Sequence, residues 1–293
     1  MKRFLSYFLF FGFSLFTISL RAQVSQLEKS VLKEFYKKTD GDNWHVKWNL
    51  EAGIETWHGV VLENGHVSEI NLHRNGLKGN IPKSIGGLKH LKVLDLSFNN
   101  LTSSIPPSLL SIKSLTTVKL EMNNLTGEIP KNFDKDNSLQ ELTLFNNSLS
   151  GKIPEQIGEA ITLKVLNLSS NFLEGSLPKS IMNLEDLTML EVFGNKLHGS
   201  IEIDFEGLKK LEDLVLSNNQ FEGNLPQSIA RLKNLKFVQL QGNNFKSIRS
   251  LLNSRSEGIA TFESDDEFLN MKFKNDAINR TRLAKTQFED SNN

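Results

Sequence analysis

A 24-residue period constrains this chain more than any other feature. Asn75, Asn99, Asn123, Asn147, Asn171, Asn195, Asn219 and Asn243 stand 24 residues apart, with no insertion between them. Eight positions before each Asn comes Val67, Leu91, Leu115, Leu139, Leu163, Leu187, Leu211 or Leu235. Three before comes Leu72, Leu96, Leu120, Leu144, Leu168, Val192, Leu216 or Leu240, and two after comes Leu, or Phe at Phe221 and Phe245. All seven prolines fall inside the repeats, six of them at one position (Pro82, Pro106, Pro130, Pro154, Pro178 and Pro226). A period of this length marks a stack, because one unit cannot bury its apolar face alone and its neighbours must cover it.

The alternating x-L-x-L-x stretch of each unit predicts a short strand with its Leu side chains turned inward. Units in register place these strands side by side and parallel, so eight of them span about 34 Å at a strand spacing of about 4.8 Å. The Asn falls where the chain leaves the strand. Its amide donates and accepts, which suits a ladder that satisfies backbone groups at a buried corner. Gly79, Gly127, Gly151, Gly175, Gly199 and Gly223 permit the next bend, and Pro fixes an extended outer segment that owes no ladder N–H. Ser103 and Ser247 replace the Gly, Glu202 replaces a Pro, and Asp136 falls where other units carry Leu, Ile or Ala.

The unit LxxLxLxxNxLxGxIP, as in Leu163 to Pro178 (LKVLNLSSNFLEGSLP), resembles the leucine-rich repeat. The Gly127-Glu-Ile-Pro130 element is similar to its plant-type subclass, found in plant receptor-like kinase ectodomains, polygalacturonase-inhibiting proteins and exported bacterial proteins. The resemblance covers residues 67–248. It implies an α/β solenoid: a right-handed superhelix of eight 24-residue repeats, with a parallel β-sheet on the concave face and a helical N-terminal cap.

A stack has two open apolar ends that need covers. Residues 23–66 are expected to form the N-terminal cap. Ser25-Gln-Leu-Glu28 fits a capping box. Leu27, Val31 and Phe35 share a helix face ending near Gly41, followed by all three tryptophans, Trp44, Trp48 and Trp57. Asn64-Gly65 between apolar runs predicts a two-residue hairpin. Trp57-His-Gly-Val60 is similar to the cap of the plant-type family. That cap carries paired Cys, which this chain lacks, so packing must hold it. Residues 249–293 are expected to hold a C-terminal cap, with Gly258–Phe262 and Phe268–Phe273 as a final hairpin, and a partly disordered tail. Residues 1–22 have the layout of a signal peptide: Lys2-Arg3, the apolar run Phe4 to Leu20, then small Ala22. An uncleaved anchor is the alternative, since seventeen residues sit at the short limit for a span. Either way the location is extracytoplasmic: secreted, periplasmic or cell-surface. After cleavage no membrane span is expected.

Composition removes several functions. The 34 basic and 34 acidic residues balance, which argues against nucleic acid as a partner. With no Cys there is no disulfide, thiolate metal site or Cys nucleophile. Asp40-Gly-Asp-Asn43 lacks the twelve-residue loop and closing Glu of a calcium-binding EF-hand and reads as a turn. His45, His58, His66 and His73 have no metal-ligand spacing. No nucleophile elbow, phosphate loop or dinucleotide fingerprint occurs. No cofactor, metal or catalytic residue is therefore expected. Only Glu121 and Glu141, carboxylates on neighbouring strands, imitate an acid–base pair.

What remains is recognition. Residues flanking the inward Leu face solvent, and they place Phe98, Met122 and Phe145 on strands two to four and Met189, Phe193, Val215 and Phe237 on strands six to eight. Arg74, Glu121, Asp95, Lys119, Asn167, Glu191 and Asp213 add polar and charged groups to the same face. Exposed aromatics rimmed by mixed charge are the composition of a binding surface. The expected function is an exported, non-catalytic binding protein for a protein, peptide or polysaccharide. A structural or adhesive surface protein is the alternative.

Overall fold

A computed structural model describes residues 25–248, 259 and 261–266. The expectations for the leader and for most of the tail, including Phe268–Phe273, lie outside the described residues.

The alternation of each unit becomes a strand as its chemistry requires. In Leu91-Lys-Val-Leu-Asp-Leu96, Leu91, Leu94 and Leu96 are fully buried while Val93 and Asp95 lie half-buried on the opposite face. Ten such segments form one sheet in chain order: β1 (Val60–Glu63), β2 (His66–Asn71), β3 (Val93–Asp95), β4 (Thr117–Lys119), β5 (Glu141–Thr143), β6 (Val165–Asn167), β7 (Met189–Glu191), β8 (Asp213–Val215), β9 (Phe237–Gln239) and β10 (Thr261–Glu263). From β2 onward the pairing is parallel, and residues 24 apart are partners, as in Leu142, Leu166 and Leu190. On the opposite side most units carry a short turn of helix, such as Lys83–Gly87, Glu155–Glu159 and Lys179–Asn183, mostly 3₁₀ in form, while the unit that contains Pro130 has none. Strands pack closer than helical turns do, so the sheet side is the shorter, concave arc. One apolar core runs without a break from Val31 to Phe262, and each fully buried Leu contributes about 1.5–3 kcal/mol.

The ladder asparagines face this core at its polar corner. Asn123 Nδ2 donates to Leu96 O of the preceding coil (3.0 Å) and to Leu120 O of its own (3.1 Å), and its Oδ1 accepts Leu101 N–H (2.9 Å). Asn99, Asn147, Asn171, Asn195, Asn219 and Asn243 repeat this pattern. Asn75 has no preceding coil. It exchanges both bonds with Val46 of the N-terminal segment instead, accepting from its N–H (2.7 Å) and donating to its carbonyl (3.1 Å).

Each ladder Asn is preceded by a left-handed residue, which turns the chain out of the strand. Arg74, Phe98, Met122, Asn146, Ser170, Gly194, Asn218 and Gly242 all have φ between 50° and 68°. A second left-handed position four residues beyond the Asn holds Gly in most coils, and Ser103 adopts it at φ 66°. Just past the Asn the chain forms an outer sheet of six strands: Thr126–Gly127, Ser148–Lys152, Phe172–Gly175, Lys196–Ser200, Gln220–Asn224 and Asn244–Ser247. These ladders end before the proline position, where Pro82, Pro154 and Pro178 are extended (φ −72°, −72° and −65°), as expected.

At the N-terminus, α1 (Gln26–Lys38) starts at Ser25, whose Oγ accepts Glu28 N–H at 3.1 Å. The reciprocal half of the capping box does not form. The Glu28 carboxylate is buried and accepts from Val67 N–H (3.3 Å), with His66 Nδ1 at 3.2 Å, tying the helix to the first coil. The buried face is Glu28, Val31, Leu32, Phe35 and Tyr36, while Leu27 is 62% exposed, against the expected Leu27–Val31–Phe35 stripe. Trp48 stacks on Trp57 at 4.8 Å and meets Trp44 edge-on at 5.0 Å. All three indole N–H groups donate to carbonyls, those of Thr39, His58 and Asn49. Asn64 (φ 52°) and Gly65 (φ 80°) make the tight turn between antiparallel β1 and β2. At Gly59 (φ 74°) a Cβ would lie 1.9 Å from the Asn71 carbonyl, so the approach of β1 to β2 demands glycine there.

At the C-terminal end, part of the expected Gly258–Phe262 strand is present as β10; its expected partner, Phe268–Phe273, lies outside the described residues. Within the described residues β10 adds to β9 in parallel, with Phe262 partnering Val238. Ile259 and Phe262 are buried, each 24 residues beyond its counterpart, Leu235 and Val238. At Asp136 the missing apolar residue is answered by its neighbour. Asn137 is buried, donates to Leu110 O (2.9 Å) and accepts Leu139 N–H (2.9 Å).

Candidate functional site

The concave face presents four rows of side chains, each formed by residues 24 apart. Two rows lie within the strands. One runs Glu69, Val93, Thr117, Glu141, Val165, Met189, Asp213 and Phe237. The other runs Asn71, Asp95, Lys119, Thr143, Asn167, Glu191, Val215 and Gln239. A third row follows the strand ends: His73, Ser97, Glu121, Phe145, Ser169, Phe193, Ser217 and Gln241. The fourth is the left-handed row from Arg74 to Gly242.

These rows separate the expected candidates into different groups. Phe98 and Met122 are not on strands but in the left-handed turn, while Phe145 sits one row inward. Arg74, exposed, holds its guanidinium 4.7 Å from the centre of the Phe98 ring, and His73 meets the same ring edge-on at 5.0 Å. Asn146 Nδ2 donates to Met122 Sδ at 2.8 Å. A left-handed backbone costs a bulky residue about 1–3 kcal/mol, so Phe98 and Met122 occupy this row at a price in stability.

Two candidates do not face solvent. Val215 is buried, 4% exposed, because it packs in the row between Glu191 and Gln239. Glu121 is also buried, and its carboxylate accepts the Thr143 hydroxyl at 2.5 Å. Burial, partly offset by that bond, pushes its carboxyl above the usual range. Glu141 pairs instead with Lys119 at 3.1 Å, so the two carboxylates that imitated an acid–base pair are engaged separately.

Met189, Phe193 and Phe237 gather near the C-terminal end of the sheet, about four strands, or roughly 19 Å, from Phe98. Met189 and Phe237 are half-buried and flank Asp213 within one row; Phe193 is exposed, two residues beyond Glu191. Glu191 accepts from Asn167 Nδ2 at 2.6 Å. Burial, with Asp213 adding repulsion, pushes its carboxyl up to about 7. Asn167 is held in turn by Ser169 N–H donating to its Oδ1 at 3.0 Å. The repeat frame places Ser169 and Ser217 beside Phe193, but composition gave them no weight. Among the described residues no group of three His, Cys, Asp or Glu is placed to hold a metal ion, and no helix is long and apolar enough to cross a membrane.

Stacked parallel strands, the asparagine ladder and a face of solvent-directed rows define a repeat solenoid. The family model described as the leucine-rich repeat region matches residues 70–241, and the chain belongs to that family. It is similar to the solved complex of PEPR1 with AtPEP1, at 30% identity and a TM-score of 0.69, over 74% of this chain and 32% of that one. It is similar to the plant peptide hormone receptor RGFR1 in complex with RGF2, at 29% identity and a TM-score of 0.60, over 65% and 31%. A leucine-rich repeat protein of Leptospira interrogans is 33% identical with a TM-score of 0.56, over 66% and 47%. The chain thus spans about a third of the plant proteins and under half of the bacterial one. No curated protein matches it.

Proposed function

We propose that this chain is an exported, non-catalytic recognition protein that binds an extended peptide or protein segment along its concave face. The observation that carries this reading is the set of apolar and aromatic side chains kept on the solvent side of a rigid sheet: Phe98, Met122, Phe145, Met189, Phe193 and Phe237. Two of them sit in a strained backbone that folding alone does not need. The peptide hormone receptor among its structural relatives supports a peptide over a polysaccharide. Export is supported by the basic start, apolar run and Ala22 of the first 22 residues.

Replacing Phe98, Phe145 and Phe193 together by Ser tests the reading. Binding to surface extracts of the producing cell is expected to be lost, with the melting temperature held within a few degrees. Full binding by the folded triple variant would reject the concave site. An assembly that sediments as a large oligomer would favour the adhesive alternative.

A further inference from the structure

The N-terminal corner of the concave face holds a cation whose donors are unused. Among the described residues there are two arginines, Arg74 and Arg231. Arg231 pairs with Glu206. Arg74 is exposed, and among the described residues no acceptor takes its N–H groups; its guanidinium lies instead 4.7 Å from the centre of the Phe98 ring. Lys119, the other permanent cation in the four rows, pairs with Glu141 at 3.1 Å.

This arrangement is held from several sides. Arg74 and Phe98 both have left-handed backbones, φ 50° and 56°, at a turn that Asn or Gly fills in other coils with little strain. His45 of the N-terminal segment donates its Nδ1–H to the Arg74 carbonyl at 3.1 Å. His73 meets the edge of the Phe98 ring at 5.0 Å. Ser97 fixes His73 in turn: the Ser97 hydroxyl gives its one proton to Asp95 at 2.5 Å, so it accepts the His73 Nδ1–H at 2.7 Å. The Ser97 N–H also donates to Asp95, at 3.1 Å. Asp95, the carboxylate of the neighbouring coil, is thus turned to Ser97 and not to Arg74. The ring covers one side of the guanidinium and leaves its N–H groups to meet an acceptor from outside.

We propose that Arg74 and Phe98 form a subsite for an acidic side chain of a bound peptide, a step that rests on the peptide-binding reading of the concave face. The planar fork of the guanidinium takes the carboxylate in two parallel N–H···O bonds. Bidentate geometry on a cation already held in place is what lets an exposed ion pair count. Phe98 holds the guanidinium by its cation–π attraction and packs against the methylene groups that carry the carboxylate. The rest of the face does not compete for such a residue. Farther along, the rows carry Glu121, Glu141, Glu191 and Asp213 against Lys119, which Glu141 occupies. An acidic side chain is repelled there and held at Arg74, so the subsite sets the register of the peptide along the sheet.

A random dodecapeptide phage library panned against the immobilised protein tests the subsite. The selected peptides, resynthesised with an amidated C-terminus, are expected to share one Asp or Glu. Changing that residue to Asn or Gln is expected to weaken binding at least tenfold, as is Arg74→Asn in the protein. The two changes together are expected to weaken it no more than either alone. Asn fills the same left-handed position at Asn146 and Asn218, and circular dichroism verifies the fold of the variant. Losses that multiply would show that Arg74 does not meet the carboxylate and would overturn the subsite. Peptides that share no acidic residue, or that bind Arg74→Asn equally well, overturn it too; the concave face then stays the binding surface if Phe193→Ser weakens those peptides. Affinity that returns only with a free C-terminal carboxylate overturns the choice of a side chain. A library that yields no binder removes both the subsite and the peptide-binding reading.

Discussion

Phe98 is the residue at which recognition and stability pull apart. Phe98 holds a left-handed backbone that Asn146 and Asn218 fill in other coils at little cost. Phe98→Asn is therefore expected to keep or raise the melting temperature by up to a few degrees while weakening ligand binding. A large loss of stability would show that the ring serves the core. Glu191 carries a testable pH dependence. Its surroundings are Asn167 on β6, Asp213 and Val215 on β8, and Phe193 beyond its own strand. Its folded carboxyl titrates near 7 against the usual 4.5, so between these values the folded state holds the extra proton. Stability from this group falls as pH rises through that window and stays lowered above it. Glu191→Gln is expected to melt higher than the parent at pH 8 and equally at pH 4. An equal difference at both pH values would contradict the shift. The row positions of these residues were legible from the period. Their surroundings were not, because Val215, Glu121, Ser169 and Ser217 are covered by neighbours whose bulk no spacing reveals.

Among the elements, the asparagine ladder was the most legible, since one residue type recurs at one spacing and its amide has one evident use. Asn147 donates to Leu120 O and Leu144 O and accepts Leu149's counterpart in the preceding coil, Leu125 N–H. Asn147→Ala is expected to cost about 1–3 kcal/mol in urea unfolding by orphaning these groups. Asn124→Ala, at the exposed position just after the ladder residue of the preceding coil, should stay within about 0.5 kcal/mol. Equal costs would deny the ladder its role. The outer sheet was less legible, because its strands are two to five residues long and alternate too briefly to stand out. The strand at β10 was expected, but not its place as a further coil, for a definite reason: Ile259 and Phe262 keep the frame, but Ser264 stands where Leu is due and Glu267 where Asn is due. In the cap helix Val31 and Phe35 lie on the expected face, but Leu27 does not: it fits a four-residue spacing, yet Glu28 takes the buried place in the first turn.

At the scale of the molecule, everything follows from coils that lie in register. Register makes a one-dimensional period into rows, and rows set Glu191 against Asp213 and Arg74 against Phe98. Charge pairs between neighbouring coils, such as Lys179–Glu202 (2.8 Å) and Lys236–Glu212 (2.6 Å), add little in energy because they are solvent-exposed, but they agree with the same alignment. The absence of Cys permits a direct measurement of it. Val93→Cys with Thr117→Cys places two thiols at partnered positions on β3 and β4, within the reach of a disulfide. Val93→Cys with Lys119→Cys places them on the same face but one step out of line, about 8 Å apart and beyond that reach. The account predicts that mild oxidation closes the first pair nearly completely and leaves the second open. Failure of the first pair to close, or equal closure of both, would contradict the register on which the concave site is built.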